Sequence, residues 1–360
     1  GADAHVTAKT RWEPSSGLIH LETLRGDIVS LELAGRDLPS RSGRPTIYLD
    51  QNHWSTLAKA WTDPRRVPSG EAEAARRLFD MALAGEIFLP LSAGHIAETG
   101  RWTNAAARYE LALTMLRASR GWQMRDPLDI RHLEIRRLIS ERLAPVVGAS
   151  PPCVFTLQPD ALFGESRRGL RPSAGGDERT GSVAGLVRSL AAASALFETL
   201  LDPETQTPGD IRGWVAKMQQ LTAELAARPR DVRLLRTRVN EIFFVDVAPE
   251  FVAELTAASV APDEWSFWMQ DESDPAVADM PALGLYREVL REKLHNPGTK
   301  WHDNDLTDLI YLTTAAGYAD HVVGEKSATA MMEQGLRRLG RGTRVHRTLR
   351  GLVESLGAAA

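Results

Sequence analysis

One short stretch, 46–50, constrains the fold of this chain more than any other: it is an apolar run that ends in a carboxylate. Residues 46–49 are β-branched, aromatic and aliphatic, which favours a short buried strand. Asp50 follows at once, and the apolar spacing of 51–61 then predicts a helix that stops at Asp63-Pro64. An acid at the tip of a buried strand indicates either a helix N-cap or a functional group at the edge of a sheet.

The segments on both sides extend this pattern. Three further elements are predicted after it: a helix over 70–85, a strand over 86–92, and a helix over 92–102 with Ser92 as its N-cap. The alternation of strands and helices favours an α/β fold with a parallel sheet flanked by helices. Ahead of it, two alternating runs around Arg25-Gly26-Asp27 predict a β-hairpin over 16–34.

Residues 103–240 are dominated by helical patterns, and we interpret them as a large helical insertion. The predicted helices cover 104–119, 127–143, 182–201, 209–228 and 230–241. A polar, glycine-rich stretch at 164–182 predicts a mobile loop among them.

Strand patterns return after the insertion. The predicted elements are a strand over 241–247, a helix over 249–259, an aromatic loop over 263–271, helices over 280–294 and 303–321, a strand over 322–325 and a helix over 327–339. The predicted organisation is an N-terminal extension with the hairpin (1–44), an α/β domain split between 45–102 and 241–340, the insertion over 103–240, and a basic C-terminal tail over 341–360.

Charge and cysteine content narrow the class of protein. The chain has 43 Lys and Arg against 47 Asp and Glu, so any contact with nucleic acid must come from a local basic patch. Its one cysteine, Cys153, excludes a disulfide framework and favours a reducing compartment. The apolar-rich run 183–201 is broken by Arg188 and Glu198, so we expect no membrane span and a cytoplasmic location.

Five acidic residues stand at or near predicted strand ends. Asp50 ends the first strand, Glu98 lies about two turns into the helix after the second strand, and Glu325 ends the last strand. Asp305 and Asp308 are three positions apart and therefore share one face of their helix. Because the carboxyl ends of parallel strands meet at one edge of a sheet, we expect these acids to lie close together.

Gathered carboxylates repel one another unless they bind a cation or their pKa values rise. Their oxygens suit Mg²⁺ or Mn²⁺, which can polarise a phosphoryl oxygen and activate a water molecule. Each acid also has a simpler explanation, since Asp50 can cap a helix, Glu98 can be a solvated helix residue, and Asp305 and Asp308 can favour a helix N-terminus. Their order along the chain favours a shared metal site.

Four stretches resemble, in the same order, the PIN-domain family of nucleases, which includes toxin ribonucleases of toxin–antitoxin pairs. They are "YLDQN" (48–52), "FLPLSAGHIAETGRW" (88–102), "IFFVDVAPEFVAEL" (242–255) and "NDLTDLIYLTTAAGYADHVVGEKS" (304–327). The resemblance covers 45–102 and 241–327 and implies a PIN-like sheet in the split α/β domain.

The resemblance also implies an activity and a set of site residues. The activity is metal-dependent hydrolysis of a phosphodiester by an endoribonuclease that uses Mg²⁺ or Mn²⁺, and the implied partners are RNA and an antitoxin or defence-system protein. The implied catalytic and metal-binding acids are Asp50, Glu98, Asp308 and Asp305, with Glu325 as an alternative fourth acid and Asn52 as the residue that orients Asp50. Two positions depart from the family pattern: Gln51 stands where Thr or Ser is frequent, and Gly324-Glu325-Lys326 replaces Thr-x-Asp.

Other residues are candidates with weaker support. His95 lies three positions before Glu98 and could assist the site, although a partly buried histidine is the simpler interpretation. His53 and His302 are near the proposed site only in sequence. The basic tract 337–350 could bind phosphates through Arg337, Arg338, Arg341 and Arg344, or could be a solvated helix end. The aromatic residues Trp265, Phe267 and Trp268 could stack on bases or pack in the core.

Two alternatives to a nuclease stay open. A phosphatase of the haloacid dehalogenase type also ends its first strand in an Asp, but it needs a second Asp at the position of Asn52. A PIN-like scaffold without activity would serve as a binding module, and the unusual fourth acid permits this. A homo-oligomer is possible in either case.

Overall fold

The computed structural model describes residues 7–32, 43–143, 151–158, 161–162, 200, 212–227, 232–271 and 273–358, and these form an α/β fold. The predicted loop 164–182 lies outside the described residues, as does the predicted helix 182–201 apart from Leu200. Within the described part, no helix is long and apolar enough to span a membrane.

The N-terminal residues form an antiparallel sheet of three strands. They are β1 (Thr7–Glu13), β2 (Leu18–Thr23) and β3 (Ile28–Glu32), in that order. The predicted hairpin is confirmed as β2 and β3, which pair from Leu18 with Glu32 to Glu22 with Ile28. Residues Ile19, Leu21, Val29 and Leu31 alternate along these strands and are buried on one face.

Residues 46–61 fold as predicted, into a short strand followed by a helix. Strand β4 (Ile47–Leu49) leads directly into α1 (Gln51–Thr62), and α2 (Ser69–Leu83) packs against α1 after a single 3₁₀ turn at Pro64–Arg66. The predicted strand over 86–92 is wrong as a regular strand, since the segment makes only single parallel bridges, from Phe88 to Thr46 and from Leu91 to Gln123. Pro90 lies between the two bridges and has no N–H to donate to a ladder.

Three helices and a minor sheet follow this segment. The helices are α3 (Ala93–Gly100), α4 (Ala105–Ser119) and α5 (Pro127–Arg142), and the minor antiparallel sheet contains β5 (Gln123–Met124) and β6 (Phe155–Thr156). Helix α4 packs against α1, α2 and β3, so the start of the predicted insertion shares its core with the N-terminal part of the chain.

The described part of residues 212–295 forms six helices. The helices are α6 (Arg212–Ala226), α7 (Val232–Asp246), α8 (Ala248–Ala257), α9 (Pro262–Asp271), α10 (Ser273–Asp279) and α11 (Pro281–His295). Two predictions are wrong here. The predicted strand 241–247 is helical up to Asp246, in α7, and Val239, Phe243 and the following Val247 are buried at a spacing of four. The predicted aromatic loop 263–271 belongs to α9.

The remaining elements complete a small parallel sheet. They are α12 (Asp305–Tyr318), β7 (His321–Val323), α13 (Lys326–Arg338), β8 (Arg344–His346) and α14 (Leu349–Gly357). The sheet has the order β4-β7-β8, with Ile47 level with His321 and His321 level with Arg344. The predicted basic tail therefore supplies a strand and a packed helix. Helix α11 contacts α12, α13, α7, α6 and α5 and lies at the centre of the second core.

Candidate active site

The carboxyl edge of the parallel sheet carries two of the predicted acids. Asp50 follows β4 and caps α1, because its side chain accepts a hydrogen bond from the backbone N–H of His53 (3.1 Å). Glu325 follows β7 and stands at the N-cap position of α13, where its side chain makes no capping bond. Both carboxylates lie at helix N-termini, where the helix dipole favours negative charge.

All five predicted acids line one cavity of about 570 Å³. Helices α3 and α12 bring the remaining three to the sheet edge, and the acidic lining consists of Asp50, Glu98, Asp305, Asp308 and Glu325. Residues that are far apart in the chain thus converge as the parallel topology predicts.

Glu98 projects from α3 and forms no ion pair with a described residue. Burial raises the pKa of Glu98 to about 7, and the charge of Asp308 adds to this effect, while Arg101 opposes it. A carboxyl group with this pKa exchanges its proton near neutral pH. Its environment therefore disfavours negative charge as long as no cation is present.

Asp308, in the first turn of α12, has a similar environment. It is exposed and lines the cavity, yet the surrounding protein hinders hydration of its carboxyl group and raises its pKa to about 6. The charges of Asp305 and Asp50 contribute to the same shift. Asp308 also forms no ion pair with a described residue, so Glu98 and Asp308 are a mutually repelling pair.

Asp50 pairs with His53, a residue that the sequence placed near the site only by its position in the chain. His53 Nδ1 lies 2.5 Å from Asp50 Oδ1, and His53 Nε2 lies 3.2 Å from the carbonyl oxygen of Arg347. Burial lowers the pKa of His53, but the hydrogen bond and charge of Asp50 outweigh that effect, so its pKa is raised overall. Both ring nitrogens face acceptors, an arrangement that the doubly protonated, positively charged ring satisfies.

Asn52 does not orient Asp50, contrary to what the resemblance implied. Its side-chain Nδ2 donates a hydrogen bond to Oε1 of Glu325. The parallel pairing of β4 and β7 explains this, because it brings the residues that follow the two strands to neighbouring positions. Asn52 therefore holds the acid at the end of β7.

Asp305 differs from the other four acids because it pairs with a lysine. Lys293 Nζ of α11 lies 2.5 Å from Asp305 Oδ1, and the backbone N–H of His302 donates to Asp305 Oδ2 (2.5 Å). Sequence reasoning missed Lys293. Lys293 is one of several charged residues in α11, so the sequence carried no signal that set it apart.

His95 helps to cap the N-terminus of α3. It is buried, its Nδ1 accepts a hydrogen bond from the backbone N–H of Ser92 (3.1 Å), and it completes a capping box at the start of α3. Its ring stacks on Tyr48 with centroids 5.0 Å apart. Burial lowers the pKa of His95 to about 4, although the Leu49 carbonyl and Asp50 oppose the shift, so the ring is neutral at neutral pH.

The four predicted phosphate-binding arginines do not line the cavity. Arg337 and Arg338 end α13, which begins at the site and runs away from it, and Arg344 begins β8 at the opposite edge of the sheet. Arg338 pairs with Glu288, at 2.6 Å between Nε and Oε2. Arg341 donates to the carbonyl oxygens that precede α11, including Met280 O at 2.8 Å. These contacts tie helices together.

The aromatic residues of α9 also lie away from the cavity. Trp268 is buried and its ring stacks on Trp265, with centroids 4.8 Å apart. Phe267 is exposed on the same helix. The packing interpretation thus holds for Trp265 and Trp268.

The lining of the cavity has the oxygen donors that a hard divalent cation prefers. Its donor set fits, because it offers carboxylate oxygens from Glu98 and Asp308 that have no cationic partner among the described residues, together with Asp50 and Glu325. Within the described ranges, however, no three acidic, histidine or cysteine side chains already stand close enough to hold one ion. The chemistry fits Mg²⁺ or Mn²⁺, and binding would require these side chains to rotate towards one another.

Comparisons with protein-family models, with curated proteins and with solved structures found no match for this chain.

Proposed function

We propose that this protein is a metal-dependent phosphodiesterase with a PIN-like α/β core, and that its substrate is RNA. One observation carries the proposal: acids from four separate elements, which are distant in the chain, line a single cavity at the carboxyl edge of the parallel sheet. The raised pKa values of Glu98 and Asp308 support it, because perturbed carboxyl groups of this kind cluster at functional sites.

Each acid has a distinct role in this proposal. Asp50, Glu98 and Asp308 would hold the cation, and Glu325, fixed by Asn52, stands beside them. A bound Mg²⁺ or Mn²⁺ supplies Lewis acidity towards the phosphodiester and lowers the pKa of the attacking water. Asp50 is oriented by His53, and this contact keeps one of its oxygens fixed at the sheet edge. Glu98, whose pKa is raised to about 7 while no cation is bound, would exchange its proton for the cation near neutral pH.

Cleavage by the purified full chain tests the proposal. Single-stranded RNA, hairpin RNA and DNA of the same sequence are incubated with the protein in Mn²⁺, Mg²⁺ or EDTA. We expect cleavage of RNA in the two metals only. Asp50→Asn is expected to reduce the rate by a factor on the order of 100 or more, because it removes a charged ligand while an Asn still caps α1.

Asp63→Asn is the matched control. Asp63 caps the 3₁₀ turn at the other end of α1 and accepts a hydrogen bond from the backbone N–H of Arg65 (3.2 Å), so the same chemical change is made away from the cavity. Cleavage that persists in EDTA, or that Asp50→Asn leaves intact, would refute the mechanism. A Mn²⁺-induced rise in melting temperature that Asp50→Asn abolishes, without any cleavage, would assign the chain to the binding-module alternative.

A further inference from the structure

We propose that Lys293 is a substrate-binding residue of this site. Its ammonium group would bind a phosphate oxygen of the nucleic-acid strand, and Asp305 would position that ammonium group instead of holding the metal. The inference rests on the proposed nuclease function and extends it to residues that lie outside the acids just assigned.

Lys293 is a cation facing an acidic cavity. Its side chain is only 8 % exposed, and it is the one lysine or arginine among the described residues that line the cavity. The lining of the cavity also carries Asp50, Glu98, Asp308 and Glu325, which repel a polyanion in the absence of a cation. A strand that enters therefore meets its fixed positive charge at Lys293.

The ammonium group retains donors for a ligand. An ammonium has three N–H groups, and Asp305 is the one carboxylate that pairs with Lys293 in the described part of the chain. The second close contact is to an aromatic face, since Nζ lies 4.6 Å from the centroid of the Trp301 ring. Neither contact uses all three donors, and the cavity lies beside them.

Asp305 is already committed to protein contacts. Oδ1 pairs with Lys293, and Oδ2 accepts the backbone N–H of His302. A metal would have to share these two oxygens with their present donors, whereas Asp308, one turn further along α12, forms no ion pair with a described residue. Asp305 is therefore better suited to hold Lys293 than to bind the ion.

Helix α6 holds the wall against which Lys293 packs. Trp301 is buried, and its Nε1 donates to Thr222 Oγ1 (2.9 Å), while Gln219 Nε2 donates to the carbonyl oxygen of Trp301 (3.3 Å). The Trp214 ring contacts Trp301 edge-on, with centroids 5.3 Å apart. This part of the predicted helical insertion thereby acquires a role, because it fixes the aromatic surface behind the cation.

The test measures RNA binding without cleavage. Fluorescently labelled single-stranded RNA is titrated with the full chain in EDTA over a series of salt concentrations. Replacing a lysine that contacts a phosphate lowers the affinity and reduces the slope of log K against log salt by about 0.7 for a single strand. We expect this change for Lys293→Met, a slope close to wild type for Lys293→Arg, and no change for Lys59→Met, a partly buried lysine of α1 away from the cavity.

A purely structural role of Lys293 would leave the salt slope unchanged, and that result overturns the inference. Asp305→Asn serves as a second variant should Lys293→Met fail to fold: it is expected to weaken RNA binding while Mn²⁺ still raises the melting temperature. Loss of the Mn²⁺ effect in Asp305→Asn would return Asp305 to the metal and also refute the proposal. If the wild type cleaves RNA and Lys293→Met leaves the salt slope unchanged, only the role of Lys293 is rejected. If Lys293→Met reduces the slope but the wild type never cleaves RNA, only the proposed nuclease activity is rejected.

Discussion

Asn52 and Glu325 are joined side chain to side chain, by a hydrogen bond from Nδ2 to Oε1, although they are 273 positions apart in the chain. Each residue follows one of two paired strands, so the bond fastens the carboxyl edge of the sheet. It also gives Glu325 a fixed position in the lining of the cavity. Asn52 therefore lies in the first turn of α1 and also holds the acid that follows β7.

Asn52→Asp tests this contact. The change places a second carboxylate against Glu325, and we expect the metal-free protein to lose about 0.5–1 kcal/mol of unfolding free energy, a modest amount because both residues are exposed. Urea denaturation in EDTA measures the loss. Combining Asn52→Asp with Glu325→Gln should restore the stability, since the double variant again pairs an amide with a carboxylate. Additive losses in the double variant would show that the two side chains do not interact.

The stability of the metal-free protein should fall as Glu98 ionises. The unfolded carboxyl group loses its proton near its ordinary pKa of 4.5, and the folded one near 7, so the folded state binds more protons in between. The free energy of unfolding therefore decreases as pH rises through this window. Glu98→Gln removes the effect, and its advantage over wild type should grow by roughly 1–2 kcal/mol between about pH 5 and about pH 8, allowing for partial exposure.

Mn²⁺ provides the second part of this test. The ion competes with the proton on Glu98, so its affinity should increase over the same pH range, and the rise in melting temperature that it causes should be larger at about pH 8 than at about pH 6. Glu73→Gln, an exposed change on α2, is the control and should follow wild type at every pH. A Glu98→Gln protein whose stability runs parallel to wild type across the range would contradict the environment described for Glu98.

His53 should give a pH dependence in the same direction as Glu98, but through loss of a favourable charge pair instead of gain of an unfavourable charge. Its folded pKa is raised above the ordinary 6.5, so the stability that its pairing with Asp50 contributes is complete below that value and is lost as pH rises through the folded pKa. His53→Gln should therefore cost roughly 1 kcal/mol more at about pH 6 than at about pH 8 in EDTA. His302→Gln, an exposed histidine of the same cavity, is the comparison. Equal losses for His53→Gln at both pH values would mean that the imidazole is not charged against Asp50.

The crossing of α11 and α12 should tolerate no added methyl group at Gly317. A Cβ atom built there would lie 2.7 Å from the carbonyl carbon and oxygen of Pro281, which are backbone atoms that cannot swing aside. We expect Gly317→Ala to destabilise the protein by about 1–3 kcal/mol. Gly342→Ala is the control, because nothing lies within 4 Å of its built Cβ. Urea denaturation of the two variants measures the difference. Equal urea midpoints would show that α11 and α12 can move apart without loss of unfolding free energy.

Local signals predicted the elements whose patterns and end residues agree. Asp50 and Ser92 are both N-caps in the structure, and α1 and α3 begin where these residues indicate. At 241–247, a β-branched and aromatic composition favoured a strand, but the spacing of Val239, Phe243 and Val247 continues a helix, and tertiary burial follows that spacing. Composition alone does not distinguish these two cases.

The acids of the site were predictable because each lies at a position that topology brings to one edge. Their partners were not. Lys293 and Asn52 are defined by contacts across helices and strands, and neither carries a local pattern that names its partner. Strand β8 was hidden for a related reason: Arg344 and His346 make its sequence polar, although its backbone pairs with β7.

The pairing of β4 with β7 also sets an order of events in the cell. Thr46, directly before β4, donates a backbone hydrogen bond to the carboxylate of Asp320, which is 274 positions further along the chain. A ribosome therefore makes Asp50, Glu98 and most of the helices before it makes the strand that joins them. The growing polypeptide therefore cannot bring Asp50 and Glu325 to one edge of the sheet until β7 has been synthesised, and the cavity assembles late relative to the strand that begins it.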